Sequence, residues 1–121
     1  MQNQSLISPD KLKKKWEFSR AYEKGKRYWN NTFTIYVVPN HTDKTRLGVT
    51  VSKKVGKSVK RNRVKRLIRE SFRLSKDRIL PGYDITVVAK PTAYGLKCQQ
   101  SQSALLQLLH RARMLKTERN S

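Results

Sequence analysis

Positive charge is the first constraint on how this chain folds. Its 121 residues include 28 Lys and Arg against 8 Asp and Glu, a formal net charge of +20. Repulsion on that scale destabilises a compact state unless a polyanion neutralises it, and nucleic acid is the common polyanion. A chain of this length has room for one domain with a modest core. The sequence therefore predicts one small domain whose partner is nucleic acid.

Other classes of protein are disfavoured by the same sequence. No stretch approaches the ~18–20 apolar residues of a membrane span, and residues 1–10 lack the basic and apolar regions of a secretory signal. Cys98 is the only cysteine, which excludes an internal disulfide and a cysteine-rich metal site. We expect a cytoplasmic protein without a membrane partner. A basic membrane-surface protein is the weaker alternative, because the cations run along most of the chain.

Hydrophobic periodicity predicts six elements in the order helix, strand, strand, helix, strand, helix. They cover residues 16–22, 32–38, 46–52, 58–76, 83–90 and 100–115. Gly25 is the expected stop of the first helix, and Ser58 is the expected N-cap of the long helix. The short connection that begins at Pro39 favours an antiparallel hairpin between the first two strands.

Each predicted strand has one apolar row that needs cover and one more polar row. The polar rows, which include Tyr36 and Thr86, can stay exposed to water, as one face of a sheet often does. We therefore expect an α+β fold: a compact single-domain α-β sandwich over residues 11–116, a small sheet with helices packed on one face. Residues 1–10 are expected to form a flexible segment and residues 117–121 a C-terminal tail.

A dense run of cations follows the second predicted strand. Ten of them stand against Glu70 alone: Lys53, Lys54, Lys57, Lys60, Arg61, Arg63, Lys65, Arg66, Arg69 and Arg73. At about 100° per residue, most of the helical ones gather opposite the apolar stripe that contains Val64 and Ile68. A solvated helix face is the common interpretation of such a run. However, acids are not interleaved, and Lys60 and Arg61 lie in the first turn, where the helix dipole disfavours cations, so a phosphate-binding helix is favoured.

Three aromatic residues indicate a second surface. Phe18 and Tyr22 are four residues apart, on one side of the first predicted helix, and Tyr36 lies on its strand opposite the apolar row. Aromatic residues at helical spacing are often core residues, and that alternative stays open. The other interpretation is a stacking platform for unpaired bases between the helix and an open sheet face.

Residues that could support catalysis are scattered along the chain. Most of the eight acids lie beside Lys or Arg, so each is interpreted first as a surface charge partner. His41 and His110 have no partner at ligand spacing, Cys98 has no neighbouring His motif, and no P-loop is present. The sequence therefore predicts neither a catalytic nor a metal-binding residue in this chain.

Two adjacent stretches carry a family resemblance. RLGVTVSKKVG (Arg46–Gly56), followed by VKRNRVKRLIRE (Val59–Glu70), resembles the protein subunit of bacterial ribonuclease P. The hallmark is the Arg-Asn-Arg triplet that is centred here on Asn62. The resemblance extends over roughly residues 12–115 and is weakest in the last helix.

The resemblance implies a fold, an activity and partners. The fold would contain a left-handed βαβ crossover around the long helix, against the usual right-handed preference. The activity would be removal of the 5′ leader from precursor tRNA, with catalysis by the RNA subunit. Mg²⁺ would be bound mainly by that RNA and the substrate. The protein would bind the catalytic RNA in a 1:1 complex, bind the 5′ leader of precursor tRNA, and assist metal and substrate binding.

The resemblance also assigns residues to two surfaces. With Lys60 and Arg73 added from the cationic face, the predicted RNA-subunit surface comprises Lys53, Lys54, Lys60, Arg61, Asn62, Arg63, Lys65, Arg66, Arg69 and Arg73. The predicted leader-binding residues are Phe18, Tyr22, Tyr36 and Lys90. Tyr22 replaces the Phe expected in the family, and its ring can still stack.

Two further classes of nucleic-acid-binding protein are alternatives. A small basic ribosomal-type protein would share the charge, but it gives no reason for an aromatic cleft. A duplex-DNA-binding protein is weaker still, because neither helix-turn-helix nor zinc spacing is present.

Overall fold

The architecture is a four-stranded sheet with three helices. The computed structural model describes residues 11–12 and 14–116, so the predicted segment 1–10 and tail 117–121 lie outside the described residues. The helices and strands are α1 (Lys15–Lys24), β1 (Lys26–Trp29), β2 (Phe33–Pro39), β3 (Arg46–Val51), α2 (Ser58–Ser75), β4 (Tyr83–Ala89) and α3 (Cys98–Arg111). The predicted α+β class is confirmed.

The strand order corrects the predicted hairpin. The sheet has the order β1-β2-β4-β3, so β4 lies between the two strands that were expected to pair. It is antiparallel to β2, with Ile35 opposite Val87, and parallel to β3, with Val49 opposite Val87. A parallel pair needs a long crossover, which here contains α2. The left-handed sense of this crossover stays a prediction from the resemblance.

The apolar core lies between one sheet face and the helices α2 and α3. Ile35 and Val87 of the sheet, Ile68 of α2 and Leu108 of α3 are fully buried there. Core residues recur every two positions along the strands and every three or four positions along the helices, as the periodicity predicts. Burial of these side chains is the main stabilising term for a domain of this size.

Helix α1 corrects the prediction that all helices pack on one face. Tyr36, Gly48 and Thr50 alternate with the core residues of their strands, so they lie on the opposite sheet face. Phe18 and Tyr22 of α1 contact this face, at Gly48 and Thr50 respectively. The structure therefore has helices on both faces, with α1 alone, among the described helices, on the polar one.

Three local predictions also need correction. Strand β1 was not predicted, because the sequence Lys-Arg-Tyr-Trp shows no apolar alternation. This segment is a strand because it pairs with β2. Lys57, not Ser58, is the N-cap of α2, and Ser58 is its first helical residue. Helix α3 ends at Arg111, before the predicted end at residue 115. Arg113 adopts φ 59°, and Met114 N–H donates to the Leu109 carbonyl (2.8 Å), which terminates the helix.

Candidate nucleic-acid interface

A buried ion-pair network attaches α1 to the polar sheet face. Asp84 of β4 is fully buried and accepts hydrogen bonds from Arg46 Nε (2.9 Å) and Nη2 (2.8 Å). Arg20 Nη2 of α1 donates to the same carboxylate (2.8 Å), and so does Asn40 Nδ2 (2.9 Å). Arg46 Nη1 also donates to Glu17 Oε2 of α1 (2.8 Å). Helix α1 is therefore bonded to two adjacent strands, through Arg20 to the Asp84 carboxylate of β4 and through Glu17 to the Arg46 guanidinium of β3.

The interpretation of all acids as surface charge partners is wrong for Glu17 and Asp84, which are both buried. Burial by itself would raise the pKa of Asp84. Hydrogen bonds from Arg46 and Asn40 and the positive charge of Arg46 outweigh it, so the pKa of Asp84 lies below its usual value. The hydrogen bond to Asp84 likewise raises the pKa of Arg46. Asp84 and Arg46 therefore both stay ionised at neutral pH.

The three predicted aromatic residues lie between α1 and the polar sheet face, and we call this surface the aromatic cleft. The rings of Tyr22 and Tyr36 are 4.9 Å apart with an interplanar angle of 80°, an edge-to-face contact. The Tyr22 hydroxyl lies 3.0 Å from Thr50 Oγ1. Phe18 packs over Gly48, where an added Cβ would come within 2.8 Å of Phe18 Cε1. Tyr22 remains 40% exposed, so the cleft offers an aromatic surface to solvent.

Strand β1 extends the aromatic cleft with residues that the sequence analysis missed. Arg27 and Trp29 pair with Tyr36 and Thr34, so their side chains share the polar face. Trp29 is 53% exposed, and the Arg27 guanidinium lies 4.8 Å from the ring centroid. The predicted Lys90 is at this end of the cleft, where its Nζ donates to the Asn30 carbonyl (2.6 Å). Recognition of β1 as a strand would have revealed both side chains.

The predicted cations of α2 face outward, and we call them and the preceding lysine pair the basic surface. It comprises Lys53, Lys54, Lys60, Arg61, Asn62, Arg63, Lys65, Arg66, Arg69 and Arg73. All are exposed or half-buried, and Lys53 and Lys54 lie in a single 3-10 turn before the helix. Arg73 differs from the rest because Glu70 neutralises it, with Arg73 Nε 3.0 Å from Glu70 Oε1. That hydrogen bond lowers the pKa of Glu70.

The N-terminal end of α2 suits an anion. Lys57, its N-cap residue, makes no side-chain hydrogen bond to the helix. Backbone N–H groups of a first turn without a side-chain cap are available to phosphate oxygens. Lys60 and Arg61 flank this end, where the helix dipole disfavours cations. A bound anion would offset that unfavourable interaction.

The acids of the described chain do not form a site for a hard cation. Within residues 11–12 and 14–116, no three His, Cys, Asp or Glu side chains come together. Glu17 and Asp84 approach a common point, but Arg46 occupies it with hydrogen bonds to both. This donor set does not fit Mg²⁺, which binds carboxylates and water and is repelled by a guanidinium.

In the described part of the chain, every helix is too short or too polar to traverse a lipid bilayer.

The basic surface, the aromatic cleft and the mixed sheet define a small α+β nucleic-acid-binding protein. A family model described as Ribonuclease P matches residues 6–113. The chain belongs to the ribonuclease P protein family. This membership decides against the ribosomal-type and duplex-DNA alternatives.

Relatives in sequence and structure agree with the family match. The chain is 42% identical over 110 residues to the ribonuclease P protein component of Alkaliphilus metalliredigens, which covers 91% of this chain and 99% of that protein. A Clostridium botulinum protein of the same name is 45% identical over 107 residues, which is 88% of this chain and 96% of the relative.

Solved structures of the same family superpose on this fold. The RNase P protein of Staphylococcus aureus gives a TM-score of 0.80 at 39% identity, over 88% of this chain and 98% of the other. That of Thermotoga maritima gives 0.77 at 32% identity, over 84% and 96%. The observed α+β fold is therefore that of the family.

Replacement of Asp84 by Asn should lower the free energy of unfolding by about 3–5 kcal/mol at pH 7, because two guanidinium groups lose their buried carboxylate. The folded-state pKa of Asp84 lies below its unfolded value of about 3.9. Its stabilisation is therefore complete above the unfolded pKa and is lost as pH falls through the folded pKa. Urea unfolding of both proteins from pH 7 to about pH 2.5 should show the difference shrinking on acidification.

Asp43→Asn is the matched control, because Asp43 is an exposed acid in the loop after β2. It should change the free energy of unfolding by no more than about 0.5 kcal/mol. A deficit of Asp84→Asn that is the same at every pH would contradict the ionic role of this carboxylate.

Proposed function

We propose that this chain is the RNA-binding subunit of a ribonuclease P, and that it binds the catalytic RNA subunit through the basic surface. The observation that carries the proposal is the Arg61-Asn62-Arg63 block on α2, in which Asn62 and Arg63 are exposed and Arg61 is half-buried, in a chain of this family. None of Lys60, Arg63 and Arg66 forms an ion pair with an acid of the described chain. Their charges are therefore available to RNA phosphates.

The aromatic cleft is proposed to bind the single-stranded 5′ leader of precursor tRNA. Unpaired bases are held by stacking on aromatic side chains, and cations beside them contact the backbone. Tyr22, Tyr36 and Phe18 supply the rings, and Lys90 and Arg27 supply positive charge at the Trp29 end. Tyr36 is the central ring, since it contacts Tyr22 and lies opposite Arg27 in the sheet.

Hydrolysis of the leader phosphodiester is proposed to belong to the RNA subunit, as part of a 1:1 complex in the cytoplasm. Mg²⁺ would be bound mainly by that RNA and the substrate. The engagement of Glu17 and Asp84 by Arg46 supports this division, because it leaves the two buried acids committed to holding α1. The protein would raise the affinity for substrate and favour metal binding by neutralising phosphate charge around the scissile bond.

Reconstitution tests the proposal as a whole. The purified protein should not cleave precursor tRNA alone, but it should restore cleavage at low Mg²⁺ concentration when the RNA subunit is added. The measurement is the cleavage rate with protein, RNA subunit or both, across Mg²⁺ concentration. Cleavage by protein that is free of RNA would reject the proposal, as would an RNA-subunit reaction that the protein does not affect at any Mg²⁺ concentration.

Arg66→Ala should weaken binding to the RNA subunit and reduce its dependence on salt. Each phosphate contact contributes about 0.7–0.9 to the slope of log K against log salt, and the variant should lose about one contact. Lys44→Ala is the matched control, since Lys44 lies near Phe72 and Lys76, towards the C-terminal end of α2. Equilibrium binding over a range of salt concentrations distinguishes the two. An Arg66→Ala slope equal to that of wild type would refute a phosphate contact.

Tyr36→Ala should reduce the affinity of the reconstituted enzyme for leader-containing substrate by about 1–3 kcal/mol, the usual contribution of one stacked base. Tyr36→Phe is the control and should bind like wild type, because the ring is retained. The comparison is made with precursor tRNA and with mature tRNA, which has no leader. An equal loss for both RNAs would exclude leader stacking at this position.

A further inference from the structure

An open groove separates α2 from the loop that joins β4 to α3. Its volume is about 580 Å³, within the range of about 300–1,000 Å³ that is usual for ligand pockets. Arg63, Arg66 and Leu67 line it from the helix, and Tyr94 and Leu96 line it from the loop. The groove therefore combines two guanidinium groups, apolar contact surface and one aromatic ring.

The loop holds Tyr94 in a defined place. The preceding Ala93 is fully buried, and Tyr94 N–H donates to the Pro91 carbonyl (3.1 Å). Gly95 follows with φ +92°, a conformation that L-residues rarely adopt, so the chain turns sharply after the ring. Tyr94 is nevertheless 38% exposed. A large aromatic side chain is thus fixed at the surface beside the groove and not packed into the core.

The surroundings of this ring are positively charged. Lys60 Nζ lies 5.2 Å from the Tyr94 ring centroid, and Arg63 and Arg66 are exposed beside it. The ion pairs found in the described residues involve none of these three cations. These groups favour an occupant that combines negative charge with a flat apolar group. A nucleotide has both, in its phosphate and its base.

We propose that this groove holds one unpaired nucleotide of the RNA subunit, with its base stacked on Tyr94 and its flanking phosphates held by Arg63 and Arg66. The inference rests on the proposed function, because it names a contact within the same RNA complex. It adds a base-stacking contact to a surface otherwise assigned to phosphates. The groove lies on the α2 side of the sheet, whereas the aromatic cleft lies on the α1 side, so the occupant is distinct from the 5′ leader.

The test uses three variants of one residue with the RNA subunit as the probe. Tyr94→Ala and Tyr94→Leu should weaken equilibrium binding by roughly 5- to 160-fold, since a stacked base is lost. Tyr94→Phe should bind like wild type. The salt slope of Tyr94→Ala should equal that of wild type, because no phosphate contact is removed. Base-specific chemical modification should show one unpaired base that wild type and Tyr94→Phe protect and Tyr94→Ala exposes.

The outcomes separate this inference from the proposed function. If Tyr94→Ala and Tyr94→Leu bind the RNA subunit as tightly as wild type while Arg66→Ala binds weakly, the basic surface stands and the groove has no nucleotide. If no base changes its reactivity, stacking on Tyr94 is rejected. Failure of the wild-type protein to bind the RNA subunit would instead reject the proposed function. Urea unfolding of each variant identifies any loss of binding that comes from loss of folding, and Tyr94→Leu retains apolar bulk for that comparison.

Discussion

The buried carboxylate of Asp84 organises the polar half of this molecule. Each of its oxygens accepts two hydrogen bonds: Oδ1 from Arg46 and Asn40, and Oδ2 from Arg46 and Arg20. Desolvation of an ion pair is costly, and only this degree of hydrogen bonding offsets it. The network has two acids, Asp84 and Glu17, and two arginines, Arg46 and Arg20, so its charges sum to zero.

Directional bonds give α1 a position that apolar packing would not. An apolar helix would cover as much of the sheet as it could, whereas α1 is held at Asp84 and Arg46 and contacts the remaining face through Phe18 and Tyr22. Tyr36 and Trp29 therefore keep part of their rings at the surface. The aromatic cleft is thus a consequence of anchoring the helix by ion pairs at one end of the sheet.

Periodicity predicted the helices and strands that bury one face in the apolar core and leave the other face outside it. The stripe of Val64, Ile68 and Phe72 on α2 and the alternation of Phe33 and Ile35 in β2 follow directly from contact with the core. These patterns state which side of an element is buried, and they contain no information about its neighbour. The order of the strands was therefore open, and the hairpin prediction relied on loop length alone.

Hydrophobic periodicity does not predict which polar residues are buried. Thr86 was expected on a wet face, yet it is fully buried, because α1 covers that part of β4. Asp84 and Arg46 are partners in the parallel register, but they are 38 residues apart in sequence. Phe18, Tyr22 and Tyr36 lie on the same polar sheet face, and their role in binding RNA stays a prediction. Trp29 and Arg27 share that face, but the sequence did not predict them because strand β1 shows no pattern of its own.

The two proposed RNA surfaces are on different faces of the sheet, and the turn before α2 connects them. Residues Lys53–Val55 contact the turn Pro91–Ala93, so Lys53 and Lys54 lie between the end of β3 and the start of the loop that carries Tyr94. A single-stranded leader in the aromatic cleft and a folded RNA on α2 would both bring phosphates towards these lysines. Two polyanions repel each other at such distances unless cations stand between them. In the proposed complex, the excess of positive charge, which is unfavourable for the free chain, would reduce the repulsion between two RNAs bound to so small a protein.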